Sequence, residues 1–172
     1  MNLPTAFQEA CDQHGHPPTE HCLHVQVSCQ TLTHYHGDQS KTLTASTATN
    51  GTGQQECSFQ TPLGLHRVSE KIGAGEPIGT VFKERQPVRH DGKGDPSALI
   101  TDRILWLEGL EPDFNSGGKV DSHQRYIYIH GTGDESRLGE PNSQGCIHLG
   151  ATDLLPLFNA VPEGTLVMIT EN

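Results

Sequence analysis

The sequence predicts a mostly-β domain, a β-sandwich or barrel with one or two capping helices. Three observations carry that expectation. Short runs alternate apolar and polar residues, the period of a half-buried strand. The 19 Gly and 11 Pro of the chain recur between those runs as turn signals. Sustained apolar helical spacing occurs near the C-terminus, at Leu154, Leu157, Phe158 and Val161. A length of 172 residues suits one domain with a sizeable core.

Taken in order, residues 1–22 read as a leader segment and residues 23–172 as the domain proper. Ala6, Phe7, Ala10 and Cys11 have helical spacing, which predicts a short helix ending near Gly15 and closed by Pro17-Pro18. The following run, Leu23 to Cys29, alternates strictly and predicts a strand; parity with Val25 and Val27 makes Cys29 a buried thiol. A turn at His36-Gly37-Asp38 leads into a second strand from Lys41 to Thr47, giving a hairpin. Asn50-Gly51-Thr52-Gly53 is a turn, and Thr61-Pro62-Leu63-Gly64 opens an extended segment through Leu65 and Val68. From Glu70 to Ala98 the chain is rich in Gly, Pro and charge. It reads either as a lid or as a solvated excursion with a short strand at Ile78 to Phe82. Leu99 to Leu110, the most apolar stretch, predicts a central strand bearing Trp106. A loop from Glu111 to Ser122 precedes the alternating run Tyr126 to Ile129. Ala151 to Val161 predicts a helix with Thr152 as N-cap and Pro156 near the first turn. Leu166 to Ile169 is the last strand.

The chemistry concentrates between His130 and Leu149. Tyr126-Ile127-Tyr128-Ile129 delivers His130 to a strand end, and Gly145-Cys146 opens the apolar run Cys146-Ile147-His148-Leu149. A His at one strand end and a Cys at the start of another can meet as base and nucleophile. Gly145 permits a sharp turn before the Cys, and the N–H groups of Gly145 and Cys146 become candidate oxyanion donors.

This series resembles the signature of the YkuD family of L,D-transpeptidases. The matching positions are His130-Gly131-Thr132, Leu138-Gly139, Pro141 and Ser143-Gln144-Gly145-Cys146-Ile147-His148. Gln144 stands where the family usually has His, and His148 where it has Arg or Asn. The resemblance extends from about Leu23 to Ile169, through Asn50–Gly53, Thr61–Gly64, Ile100–Leu107 and Gly164-Thr165. It implies a mostly-β domain with the nucleophile presented from a groove. It also implies Cys146 as nucleophile, His130 as base, and the Gly131 carbonyl as the group that holds the imidazole. Gln144 can donate an amide N–H to a substrate carbonyl. His148 reads as a carboxylate ligand or a second base, and Ser143 and Thr132 as hydrogen-bonding loop residues. Arg103 and Arg137 are either carboxylate clamps or surface residues, and Trp106 is either core or a substrate wall.

The resemblance implies attack on the L,D bond before a terminal D-Ala in peptidoglycan stem peptides or muropeptides. A thioester would pass to water, giving L,D-carboxypeptidation, or to an amine, giving L,D-transpeptidation. No metal or organic cofactor is required by that chemistry. A net charge of −10 argues against nucleic acid as partner. No run of about 18 apolar residues exists to span a membrane. The N-terminus lacks the basic and apolar regions of a secretory signal, and five Cys are an odd number. These features lead to an expectation of a cytoplasmic enzyme trimming recycled muropeptides, the other location being the periplasm after signal removal. Rival readings are a non-catalytic murein-binding domain, a secreted wall-targeting effector, and a zinc protein using Cys11, His14, His16, His21, Cys22 and His24.

Overall fold

The computed structural model describes residues 1–172. Ten strands and two α-helices follow the order α1 (Thr5–His14), β1 (His21–Gln26), β2 (Thr31–His36), β3 (Gln39–Ser46), β4 (Gly64–Ile72), β5 (Val81–Lys83), β6 (Gln86–Arg89), β7 (Thr101–Gly109), β8 (Tyr128–Gly131), β9 (Ile147–Leu149), α2 (Ala151–Ala160) and β10 (Leu166–Thr170). The sheet runs β4-β10-β1-β2-β3-β9-β8-β7-β5-β6, and a further pairing closes β4 onto β7. Eight strands therefore close into a barrel, with the β5–β6 hairpin attached outside at β7. Closure removes the unpaired edges an open sheet would expose.

The two-residue period of each strand sorts the side chains. Leu23, Val25, Leu32, Leu43, Leu105, Leu107, Ile129, Ile147 and Leu149 join one buried core, with Leu154, Leu157 and Phe158 of α2 packed into it. Each such side chain contributes about 1.5–3 kcal/mol through burial. On the outer face of β1, β4 and β10, Cys22, Leu65, Leu166 and Met168 receive Phe7 and Cys11 of α1. Outside β7 and β8, Phe82, Ile104, Trp106 and Tyr128 form a third cluster, with Cys146 at its margin.

Several sequence expectations are corrected. β1 stops at Gln26, and Val27 to Gln30 turn the chain into β2, so Cys29 is exposed. Gln30 locks that turn: it adopts φ 51° and its side-chain amide donates to the Val27 carbonyl and Thr47 Oγ1. The N-cap of α2 is Gly150, not Thr152. Glu135 Oε1 accepts the Ala151 N–H at 2.8 Å and takes over the capping role. Pro156 consequently lies at the sixth helical position and removes one interior hydrogen bond. Tyr126 is left-handed at φ 57° and exposed, so the strand before His130 starts at Tyr128. The region from Glu70 to Ala98 contains the end of β4 and the β5–β6 hairpin.

Several buried histidines make the fold acid-sensitive. His66 is fully buried, donates from Nδ1 to the Gly64 carbonyl and accepts from Ser122 at Nε2, both at 2.9 Å. Burial holds its pKa down to about 4. Burial also lowers His24, His130 and His148. A depressed folded-state pKa means that the unfolded chain takes up protons first as pH falls. The stability these neutral rings contribute is present above about pH 6.5 and is lost towards pH 4. For His66 the loss is on the order of 3 kcal/mol. Melting temperature should therefore fall steeply between pH 7 and pH 4 with net proton uptake on unfolding; a flat profile would contradict it.

Candidate active site

Strand alternation brings the reactive residues together. Ile129, Ile147 and Leu149 point into the barrel, so Tyr128, His130, Cys146 and His148 lie on its outer side. β8 and β9 run parallel with His130 opposite His148, their ring centroids 4.7 Å apart. Both imidazoles and Cys146 line one cavity of about 1030 Å³. Its walls include Arg85, Tyr126, Tyr128, Arg125, Arg137, Ser143 and Gln144, with Glu56, Glu84, Asp121 and Asp134 at the rim.

His130 is buried, and its Nδ1 lies 2.7 Å from the Gly131 carbonyl. A carbonyl can only accept, so Nδ1 carries the proton and Nε2 is left with the lone pair. Burial and the neighbouring His148 push this imidazole down to about 3. Cys146 is half-buried and its thiol donates to the Tyr126 carbonyl at 3.4 Å. Burial raises the thiol to about 11, opposed by a backbone hydrogen bond from Tyr128 and by the charge of Arg125. At neutral pH the resting pair is therefore neutral thiol and neutral imidazole. His148 has a buried Nδ1 without a partner, and burial holds its pKa at about 4. It is thus uncharged at neutral pH, unlike an Arg at the same position.

Ser143 shapes the turn before Cys146. Its hydroxyl donates to the Cys146 carbonyl at 2.6 Å and accepts the Gly145 N–H at 3.2 Å. The Gly145 N–H, one of the two expected oxyanion donors, is thereby engaged by the Ser143 hydroxyl. Gly145 sits at φ +123°, and a side chain there would press on Ile127 and the Gln60 carbonyl at 3.2–3.3 Å.

Two expected substrate contacts lie elsewhere. Arg103 is buried beneath α2, 5.7 Å from the Phe158 ring, and donates to the Asp102 carbonyl. The left-handed Asp102, at φ 66°, and the register shift between Thr101 and Ile104 turn Arg103 away from the cavity. Trp106 does not line the cavity; it packs behind it, edge-on to Tyr128 and stacked on His123. Arg137 and Gln144 are exposed at the rim.

Arg125 was not singled out by the sequence pattern. Its guanidinium donates to the carbonyls of Gly53, Gln54 and Gln60, at 3.2, 2.8 and 2.7 Å. It thereby ties the 53–60 loop to the cavity wall. Arg85 was also missed; its guanidinium lies 4.8 Å from Trp106 and 5.2 Å from Tyr126. A lone Arg in a polar turn resembles any surface Arg, and no local pattern distinguishes either residue.

The sequence profile of the YkuD family, described as the L,D-transpeptidase catalytic domain, matches residues 20–169. The chain belongs to the YkuD family. Among curated relatives, it is 38% identical over 61 residues to the YkuD protein of Bacillus licheniformis, covering 33% of this chain and 37% of that protein. It is 33% identical over 72 residues to YqjB of Bacillus subtilis, covering 38% and 41%. Both relatives carry provisional L,D-transpeptidase names, and the chain matches less than half of either one's length. L,D-transpeptidase 3 from Mycobacterium tuberculosis superposes with a TM-score of 0.56 at 19% identity, over 88% of this chain and 61% of that one. Bd1075 of Bdellovibrio bacteriovorus gives 0.56 at 15% identity, over 90% and 49%. These likenesses show that the closed, mostly-β barrel is the YkuD fold.

Proposed function

We propose that this YkuD domain is a cysteine-dependent acyl-transfer enzyme acting on peptidoglycan stem peptides at the L,D bond before a terminal D-Ala. One observation carries the reading. Cys146 and His130 share the outer face of adjacent strands and one cavity, and His130 is held by Gly131 so that Nε2 is free to accept a proton.

Because the resting pair is neutral, proton transfer accompanies attack. Cys146 Sγ bonds to the scissile carbonyl carbon as its proton passes to His130 Nε2. The carbonyl oxygen becomes an oxyanion and meets the Cys146 N–H. Collapse breaks the C–N bond, and the imidazolium returns its proton to the leaving amine of D-Ala. Water or an amine then attacks the thioester, giving up a proton to His130, and the thiol is restored. Arg85 and Arg137 line the cavity and are the cations available to a substrate carboxylate, whereas the Arg125 guanidinium is held by backbone carbonyls.

A second reading, a non-catalytic murein-binding domain, draws on the raised Cys146 and lowered His130 pKa values, which leave the thiol unactivated before substrate arrives. Incubation with a tetrapeptide muropeptide, with and without a free D-amino acid, separates the two. Loss of the terminal D-Ala, with a transient acyl mass on Cys146, is expected. Tripeptide product identifies water as acceptor; D-amino-acid exchange or a 3→3 cross-link identifies an amine. Tetrapeptide that binds and is recovered unchanged would establish the binding reading instead.

A further inference from the structure

A histidine cluster lies outside the cavity. β1 and β2 pair antiparallel with His21 opposite His36 and Leu23 opposite His34. Leu23, Val25 and Leu32 fill the barrel core, so strand alternation puts His21, His34 and His36 on the same inward face. They follow the last core residues, at the barrel mouth where β1 begins and β2 ends. His21 Nδ1 is 2.9 Å from His34 Nε2. The His21 and His36 rings stack at 4.1 Å. His36 Nε2 is 3.3 Å from Glu20 Oε1. Ligand atoms of Glu20, His21 and His36 all lie within 4.8 Å of one another.

We propose that Glu20, His21, His34 and His36 form a structural binding site for a divalent zinc-type cation that clamps the β1–β2 hairpin at the barrel mouth. Glu20, His21 and His36 already lie close to one another; the His34 nitrogen, 2.9 Å from His21 Nδ1, lies outside that mutually close group and shifts to complete a tetrahedral set of three imidazole nitrogens and one carboxylate oxygen. Bonds of about 2.0–2.1 Å to nitrogen place tetrahedral ligands about 3.3 Å apart. The 2.9 Å contact needs to open by a few tenths of an ångström, and the 3.3 Å contact already fits. The Glu20 and His36 side chains are 80% and 51% exposed, so they can rotate to converge. Lys41, opposite His34 in β3, is engaged by Asp153 at 2.9 Å and so is partly neutralised. With four protein ligands the site is closed, which suits a structural ion rather than a catalytic one.

The sequence cluster considered for zinc is dispersed by the fold. Cys11 and Cys22 are buried beneath α1, His24 bonds to Thr170, and His14 meets Glu111. Of that cluster only His21 joins the site, with Glu20 beside it in sequence and His34 and His36 across the strand pair.

Equilibrium dialysis of the full chain against Zn²⁺, followed by elemental analysis, tests the site. One Zn²⁺ per chain and a raised melting temperature are expected for the wild type. Both should be lost in His36→Ala, an exposed substitution that leaves turnover unchanged. Co²⁺ reports the ligands: d–d bands without a thiolate charge-transfer band support the His/Glu set. A thiolate band would put the ion on a cysteine, at Cys146 or an exposed thiol, and overturn the proposal. Failure of the wild type to retain Zn²⁺, or full retention by His36→Ala, overturns it equally. Activity on muropeptides is measured separately, so neither result depends on the proposed acyl-transfer reading.

Discussion

Cys146→Ala is expected to abolish turnover and leave the fold intact. The thiol is half-buried at the margin of the Phe82–Ile104–Trp106–Tyr128 cluster, outside the barrel core. It donates to the Tyr126 carbonyl and receives a backbone hydrogen bond from Tyr128, both weak because sulfur is a poor donor and acceptor, so truncation should cost about 1 kcal/mol of stability or less. Covalent acyl transfer has no substitute nucleophile in this arrangement, so the chemical loss should be complete. The other cysteines serve as an internal control. Cys11 and Cys22 lie in the contact beneath α1, while Cys29 and Cys57 are exposed; replacing any of them should spare the chemical step. Intact-protein mass after exposure to a carbapenem reports the same group. One adduct is expected on the wild type and none on Cys146→Ala. Substantial residual turnover in that variant would rule out the thioester route.

His130→Ala should lower the rate by about 10² to 10⁴, the usual contribution of a positioned acid–base group. The effect follows from the neutral resting pair. With the thiol pushed up to about 11, little thiolate exists at neutral pH, and attack depends on a base that accepts the proton as the S–C bond forms. The same balance sets the pH dependence of the free enzyme. Thiolate increases as pH rises through the raised pKa, so alkylation of wild-type Cys146 should be slow at neutral pH and accelerate into the alkaline range. Added imidazole should partly rescue His130→Ala by occupying the space left by the ring. A thiol already fully reactive at pH 6 would contradict the neutral pair. A small loss in His130→Ala beside a large one in His148→Ala would transfer the base role to His148, whose Nδ1 is buried and unpartnered.

The class of fold and most strand positions follow from residue pattern alone, and the same pattern singles out His130 and Cys146 as candidates, because each rests on short-range physics. Alternation at Leu23 to Val27 and at Ile147 to Leu149 marks one buried face. The spacing of Leu154, Leu157 and Phe158 marks a helix packed on one side. Gly145 before Cys146 marks a turn that a side chain would obstruct. Where the pattern misleads, a contact distant in sequence has intervened. Cys29 shares the parity of Val27, yet Gln30 binds Thr47 and reverses the chain before Cys29 can be buried. Thr152 is a chemically suitable N-cap, yet Glu135 reaches the helix start from a preceding turn.

The same division runs through the functional residues. Residue identity and spacing point to His130 and Cys146, but barrel closure through β4–β7 and the parallel β8–β9 pairing decide which face they occupy. Arg103 and Trp106 lie in the strand adjoining β8, where sequence offers them as substrate contacts. A left-handed Asp102 and a register shift then turn one under α2, and the other packs behind Tyr128. Arg125 enters the cavity wall only because the 53–60 loop folds back to present its carbonyls, and His34 and His36 meet His21 only across a strand pair. Such meetings are fixed by long-range register and loop closure, which leave no local periodicity in the chain.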